Sequence, residues 1–117
     1  MSISYEGIGA WCATFAAGTG AEEGKVVKVS ANGTVSKCAA NDGFCGVVRA
    51  VARDGKACSV QLGGLAKVGY SGETAPSVGY GKLSADGAGG VSVDASKGRE
   101  YLVLSVDSTE KTAVIRL

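Results

Sequence analysis

The stretch that decides the fold is residues 25–38, Lys-Val-Val-Lys-Val-Ser-Ala-Asn-Gly-Thr-Val-Ser-Lys-Cys. Its two arms, residues 25–30 with three valines and residues 35–38 opening on Val35, read as strands, with Asn32-Gly33 between them. β-Branched side chains are stiff at χ1, which disfavours them in a helix and suits them to a pleated surface. Asn-Gly between two such runs predicts a hairpin, with a type I′ turn because both central residues tolerate positive φ.

The same grammar continues in both directions. Upstream, residues 11–17 (WCATFAA) alternate as a strand, with Trp11, Ala13, Phe15 and Ala17 on one face, and residues 18–24 read as a turn. Downstream, Asn41-Asp42-Gly43 is a turn. Residues 44–53 (FCGVVRAVAR) form a strand whose alternation puts Arg49 and Arg53 on one face. Asp54-Gly55 closes a second hairpin onto residues 56–62. Gly63-Gly64 then interrupts before residues 65–70, which predicts a bulge or a sharp corner where a sheet bends. Short strands at 78–83, 91–93, 100–106 and 111–117 follow, separated by glycine-rich or polar turns. Turn signals every ~8–12 residues indicate an all-β fold, a small glycine-rich β-barrel or barrel-like sandwich of eight or nine short strands. The C-terminal strand is expected to close the barrel. A 3.6-residue apolar period never persists for ten residues, so no long helix is expected. Residues 1–10 read as an N-terminal arm ahead of a single β-barrel-like domain, 11–117.

Composition narrows the chemistry. The 117 residues include 19 glycines and one proline, and 12 basic residues against 11 acidic ones leave a net charge of +1. No global field steers such a chain to nucleic acid or to an anionic membrane. The aromatics are scattered instead of interleaving with a basic stripe, as a single-strand binding surface requires. No run approaches the ~18 apolar residues of a membrane-spanning helix. Histidine is absent, which removes Ser-His-Asp and Cys-His mechanisms within one chain. Glu22 and Glu23 are adjacent in a turn and read as solvated. Asp42, Asp54 and Asp107 sit at turns, where aspartate bonds its own backbone. No glycine-rich phosphate loop leads into a helix. Lys56 follows a hairpin tip, but Arg53-Asp54-Gly55 before it does not suit a carrier lysine.

Cys12, Cys38, Cys45 and Cys58 contain no C-x-x-C pair. The first residues lack a basic n-region and carry Glu6 early, so no export signal is expected and synthesis is placed in the cytoplasm. Free thiols follow, with the four cysteines as small buried hydrophobes.

Several motifs, taken in order, carry a resemblance. They are Gly24-Lys25-Val26-Val27-Lys28-Val29, Asn32-Gly33-Thr34-Val35, Phe44-Cys45-Gly46-Val47-Val48, Asp54-Gly55, and Ser59-Val60-Gln61-Leu62-Gly63-Gly64. Pro76-Ser77-Val78-Gly79-Tyr80, the loop from Ala85-Asp86-Gly87 to Gly90-Val91, and Val114-Ile115-Arg116-Leu117 complete the set. This order, over residues 11–117, resembles the capsid cement, or head decoration, proteins of tailed phages and prophages. The resemblance implies a barrel-like domain that docks on the outside of an assembled head and reinforces it. Its partner would be the major capsid protein of a tailed phage, and its place the virion exterior. It implies many copies, single or self-associated as trimers around symmetry axes, with no catalysis, no cofactor, no metal, no nucleic acid and no membrane. Tyr5, Ile8 and Trp11 are the candidate capsid or subunit contacts near the N-terminus, because an arm holding such side chains needs a partner. Arg49 and Arg53 are candidates on the body. The rival expectations are another virion assembly role, or a small sugar- or peptide-binding barrel using Tyr70 and Tyr80 beside the 71–76 loop.

Overall fold

The structure, a computed structural model, describes residues 8–117. It is all-β, with ten strands and no helix among the described residues. β1 (Trp11–Ala17), β2 (Val26–Ala31), β3 (Thr34–Lys37), β4 (Gly46–Val51) and β5 (Ala57–Gly63) close a barrel in the order β1-β3-β2-β4-β5. β6 (Leu65–Gly69), β7 (Gly79–Ala85), β8 (Val91–Val93), β9 (Arg99–Asp107) and β10 (Thr112–Arg116) form a second sheet in the order β6-β10-β9-β7-β8.

Ten strands replace the expected eight or nine, and the barrel closes differently. β1 pairs antiparallel with β5 and parallel with β3, so it occupies the position expected for the last strand. β10 instead lies within the second sheet, between β6 and β9. That sheet curls until its ends meet at a parallel Tyr70–Val91 bridge, where the Ser71 N–H donates to the Val91 carbonyl at 3.0 Å.

The β2–β3 hairpin forms at Asn32-Gly33 but is not type I′. Gly33 is left-handed at φ 64°, whereas the only other-than-glycine residues with positive φ are Asn41 and Lys111 among those described. A register shift between Val29 and Ala31 accompanies the turn. One left-handed glycine plus a bulge supplies the twist that a primed turn would otherwise provide.

Adjacent valines explain how the two halves join. Successive side chains of a strand point to opposite faces, yet Val26, Val27, Val47 and Val48 are all buried. Val27 and Val48 point into the barrel with Val35, Cys58 and Val60. Val26 and Val47 point outward, to a core shared with Val68, Leu83, Val103 and Ile115 of the second sheet. Phe44 stacks on Tyr101 in that core, with centroids 4.9 Å apart and planes at 9°. The Tyr101 hydroxyl donates to the Phe44 carbonyl at 3.2 Å. Lys28 Nζ holds the Asp42 carboxylate at 2.7 Å and pins the loop leading to Phe44.

The chain leaves the barrel at Gly63-Gly64. The Trp11 indole lies so close over Gly63 that a Cβ there would collide with it. Gly64 has φ 84°, and a Cβ on it would stand 2.5 Å from the Gly9 carbonyl carbon. Gln61 is fully buried, and its Nε2 donates to the carbonyls of Gly63 and Leu65, each at 3.0 Å. The Leu65 N–H donates to the Ile8 carbonyl at 2.9 Å, and the Leu117 N–H to the Gly64 carbonyl at 3.0 Å.

Gly64→Ala therefore combines backbone strain with a backbone clash. It should cost about 2 kcal/mol or more in urea denaturation. Gly81→Ala, where a Cβ meets nothing within 4 Å, should stay within about 0.5 kcal/mol of the parent. Equal effects at the two sites would refute the role given to the corner. Tyr101→Phe removes one buried hydrogen bond and should cost about 1 kcal/mol by the same measurement.

Candidate docking surface

The expected contact residues do not form one cluster. Tyr5 lies outside the described residues. Ile8 and Trp11 flank the Gly63-Gly64 corner and are 55% and 59% exposed. Simple alternation places Trp11 on the barrel face with Phe15 and Ala17, which do pack against the barrel core. A register shift between Trp11 and Cys12 breaks that alternation and sets the indole outside, over Gly63.

Arg49 and Arg53 likewise do not continue one face. The β4–β5 register shifts between Val48 and Ala50, so Arg49 sits at a bulge, half-buried. Arg53 is exposed beyond the end of β4. There the Ala52 N–H donates to the Ala57 carbonyl at 2.8 Å, and left-handed Gly55 completes the turn.

A second apolar surface holds Tyr80, named from the sequence as a binding residue, together with Val78 and Val93, which were not. Val78, Tyr80 and Val93 are 68%, 63% and 40% exposed, at the β7–β8 edge of the second sheet. A groove of about 150 Å³ beside them is lined by Pro76, Tyr80, Leu83, Val93 and Val103 among others. The usable signal lies in Val78-Gly79-Tyr80-Gly81, where large side chains alternate with glycines. Tyr70 does not join this surface. It is buried, and Lys111 Nζ covers its ring at 5.7 Å. The Tyr70–Tyr80 platform expected of a sugar- or peptide-binding barrel is therefore not presented to solvent.

The polar chemistry is that of turns. Asp54 accepts from the Lys56 N–H at 2.9 Å, and Asp107 from the N–H groups of Thr109 and Glu110 at 2.9 and 3.1 Å. The hydrogen bond from Lys28 holds the Asp42 carboxyl below the usual carboxylate range. Among the described residues, no three His, Cys, Asp or Glu side chains stand together as a metal site would require. No helix among them is long and apolar enough to cross a membrane.

The cysteines are free thiols, but they are not all buried. Cys38 and Cys58 are buried and Cys45 is half-buried, whereas Cys12 is exposed on β1. It alternates outward from Ala13 and Phe15, as the period of two along β1 requires. Burial pushes the Cys38 thiol up to about 11 and raises those of Cys45 and Cys58. No family model and no curated protein matches the chain.

Thiolate is the reactive form, and it must also be reached by reagent. The native protein should therefore show one thiol reacting rapidly with a disulfide reagent at pH 8, and Cys12→Ser should abolish that phase. A fast phase that survives Cys12→Ser would overturn this assignment.

Proposed function

We propose that this chain is a non-enzymatic structural protein of a tailed phage that binds the outside of the assembled capsid and stabilises it. The reading rests on the ordered motifs over residues 11–117. The observation that carries it to particular residues is the solvent-facing Trp11 on a stapled corner, with Ile8 beside it. An indole with more than half its surface uncovered leaves on the order of 2 kcal/mol of burial unrealised. That is the size of a binding hot spot. Because several backbone hydrogen bonds hold the corner, docking there would require little ordering of the protein.

Stabilisation by such a protein is mass action. A ligand that binds the assembled shell and not the free subunit raises shell stability with occupancy. Copies of a chain with net charge +1 repel one another weakly, so adjacent sites can fill together.

Co-sedimentation with purified heads of the encoding phage, prepared without this protein, tests the reading. Saturable binding to mature heads and weaker binding to unexpanded proheads is expected. Ile8→Asp should weaken head binding about tenfold, with its urea midpoint unchanged. Absence of binding to both shells would contradict the proposal.

A further inference from the structure

The second sheet has a core face and an outer face. Ala66, Val68, Tyr101, Val103 and Ile115 are buried in the core shared with the barrel. Successive side chains of a strand take opposite faces, so Leu65, Leu102 and Arg116 stand on the outer face. The two leucines are half-buried and Arg116 is exposed.

The register joins these residues into one row. Arg116 is opposite Leu65 on one side and Leu102 on the other, and Leu102 is opposite Tyr80. Directly opposed residues share a face and lie side by side. Leu65, Arg116, Leu102 and Tyr80 therefore cross β6, β10, β9 and β7 in a line, three strand spacings or about 14 Å long. One end is Tyr80, 63% exposed. The other end adjoins the corner, because the Leu65 N–H donates to the Ile8 carbonyl at 2.9 Å. The row thus continues the surface of Ile8 and Trp11 onto the second sheet and runs on to Tyr80.

Charge decides what can cover it. Lys82 is on the same face, two residues along β7 from Tyr80 and opposite Glu100. Glu110 already holds Lys67 at 3.7 Å. Among the described residues, no ion pair reaches Arg116 or Lys82. Covering the row strips water from the Arg116 guanidinium, and a desolvated charge without a partner opposes binding. An occupant must therefore bring its own acceptor to Arg116. A carboxylate matches the planar fork with two parallel hydrogen bonds. The row itself holds no acidic residue, so the row of a second copy would leave Arg116 without one.

We propose that the outer face of the second sheet, along this row, docks on an apolar patch of the capsid protein that carries a carboxylate, and that Arg116 pairs with that carboxylate. This inference rests on the capsid reading and adds to it the chemistry of the partner surface. Leu65, Leu102 and Tyr80 supply the apolar rim that excludes water from the pair, the arrangement in which an arginine becomes a hot spot.

The test is co-sedimentation of the full-length protein and its variants with purified heads prepared without it. Arg116→Glu should weaken head binding about a hundredfold, and Arg116→Lys, which keeps the charge and loses the fork, about tenfold. Tyr80→Ser should weaken it about tenfold without altering charge. Arg53→Glu makes the same charge change on an exposed arginine beyond β4 and should bind within twofold of the parent. Urea midpoints matching the parent's would show that the variants are folded. If the parent binds and both Arg116→Glu and Tyr80→Ser bind equally well, this inference is overturned while the capsid reading stands. Equal losses in Arg53→Glu and Arg116→Glu would also overturn it, since they would reveal attraction by net charge alone. Dimerisation of the parent in analytical ultracentrifugation, abolished by Tyr80→Ser, would give the face to a second copy instead. A parent that binds no heads would remove the capsid reading and this inference together.

Discussion

The structure depends on a single backbone constraint, the passage of the chain through Gly63-Gly64. No side chain fits at either position, because the Trp11 indole lies over Gly63 and the Gly9 backbone crosses Gly64. The strands before the corner, β1 to β5, close the barrel, and those after it, β6 to β10, form the second sheet. Groups from three separate parts of the chain converge there: the Ile8 carbonyl and Trp11 indole, the Gln61 amide, and the Leu117 N–H. The segment from Ile8 to Trp11, Leu117 and the junction between the halves are thereby tied at one place. Local rigidity of this kind is what a binding surface needs if little ordering is to oppose association.

The β character was legible because the local signals agreed with the tertiary outcome. The valine-rich runs, Asn32-Gly33, Asp54-Gly55 and Gly63-Gly64 all mark strands and turns that are present. The division into two sheets was not legible, for an identifiable reason. Alternation tells which side chains share a face, but not what covers the face. Val26-Val27 and Val47-Val48 fill two cores at once, one inside the barrel and one against Tyr101, Val103 and Ile115. In sequence, such pairs look the same as the continuous apolar run of any strand buried on both faces. The position of β10 was hidden likewise, since long-range pairing leaves no mark in the strand itself.

The surface was the least legible part, and bulges account for most of it. A bulge re-aims every side chain beyond it. One beside Cys12 carries Trp11 off the barrel and onto the corner, and another at Arg49 separates it from the face expected for Arg53. Tyr70 shows the converse failure. It lies next to a loop and reads as a surface aromatic, yet the curling of the second sheet brings Val91 against it and buries it. Residue type marked Ile8 and Trp11 as apolar side chains near the N-terminus in need of a partner. Only the fold shows that they flank the same two glycines.

Together, these features describe a small protein with two β-lined cores and an exposed indole, Trp11, on a corner held by backbone hydrogen bonds. As a cement, such a protein would act through numbers, each copy adding a modest free energy that exists only while the shell is assembled. Differential scanning calorimetry of heads with and without bound protein tests this most directly. The account predicts that the shell-disruption endotherm moves upward in proportion to occupancy and saturates when the sites are full. An endotherm that stays in place at full occupancy would contradict it.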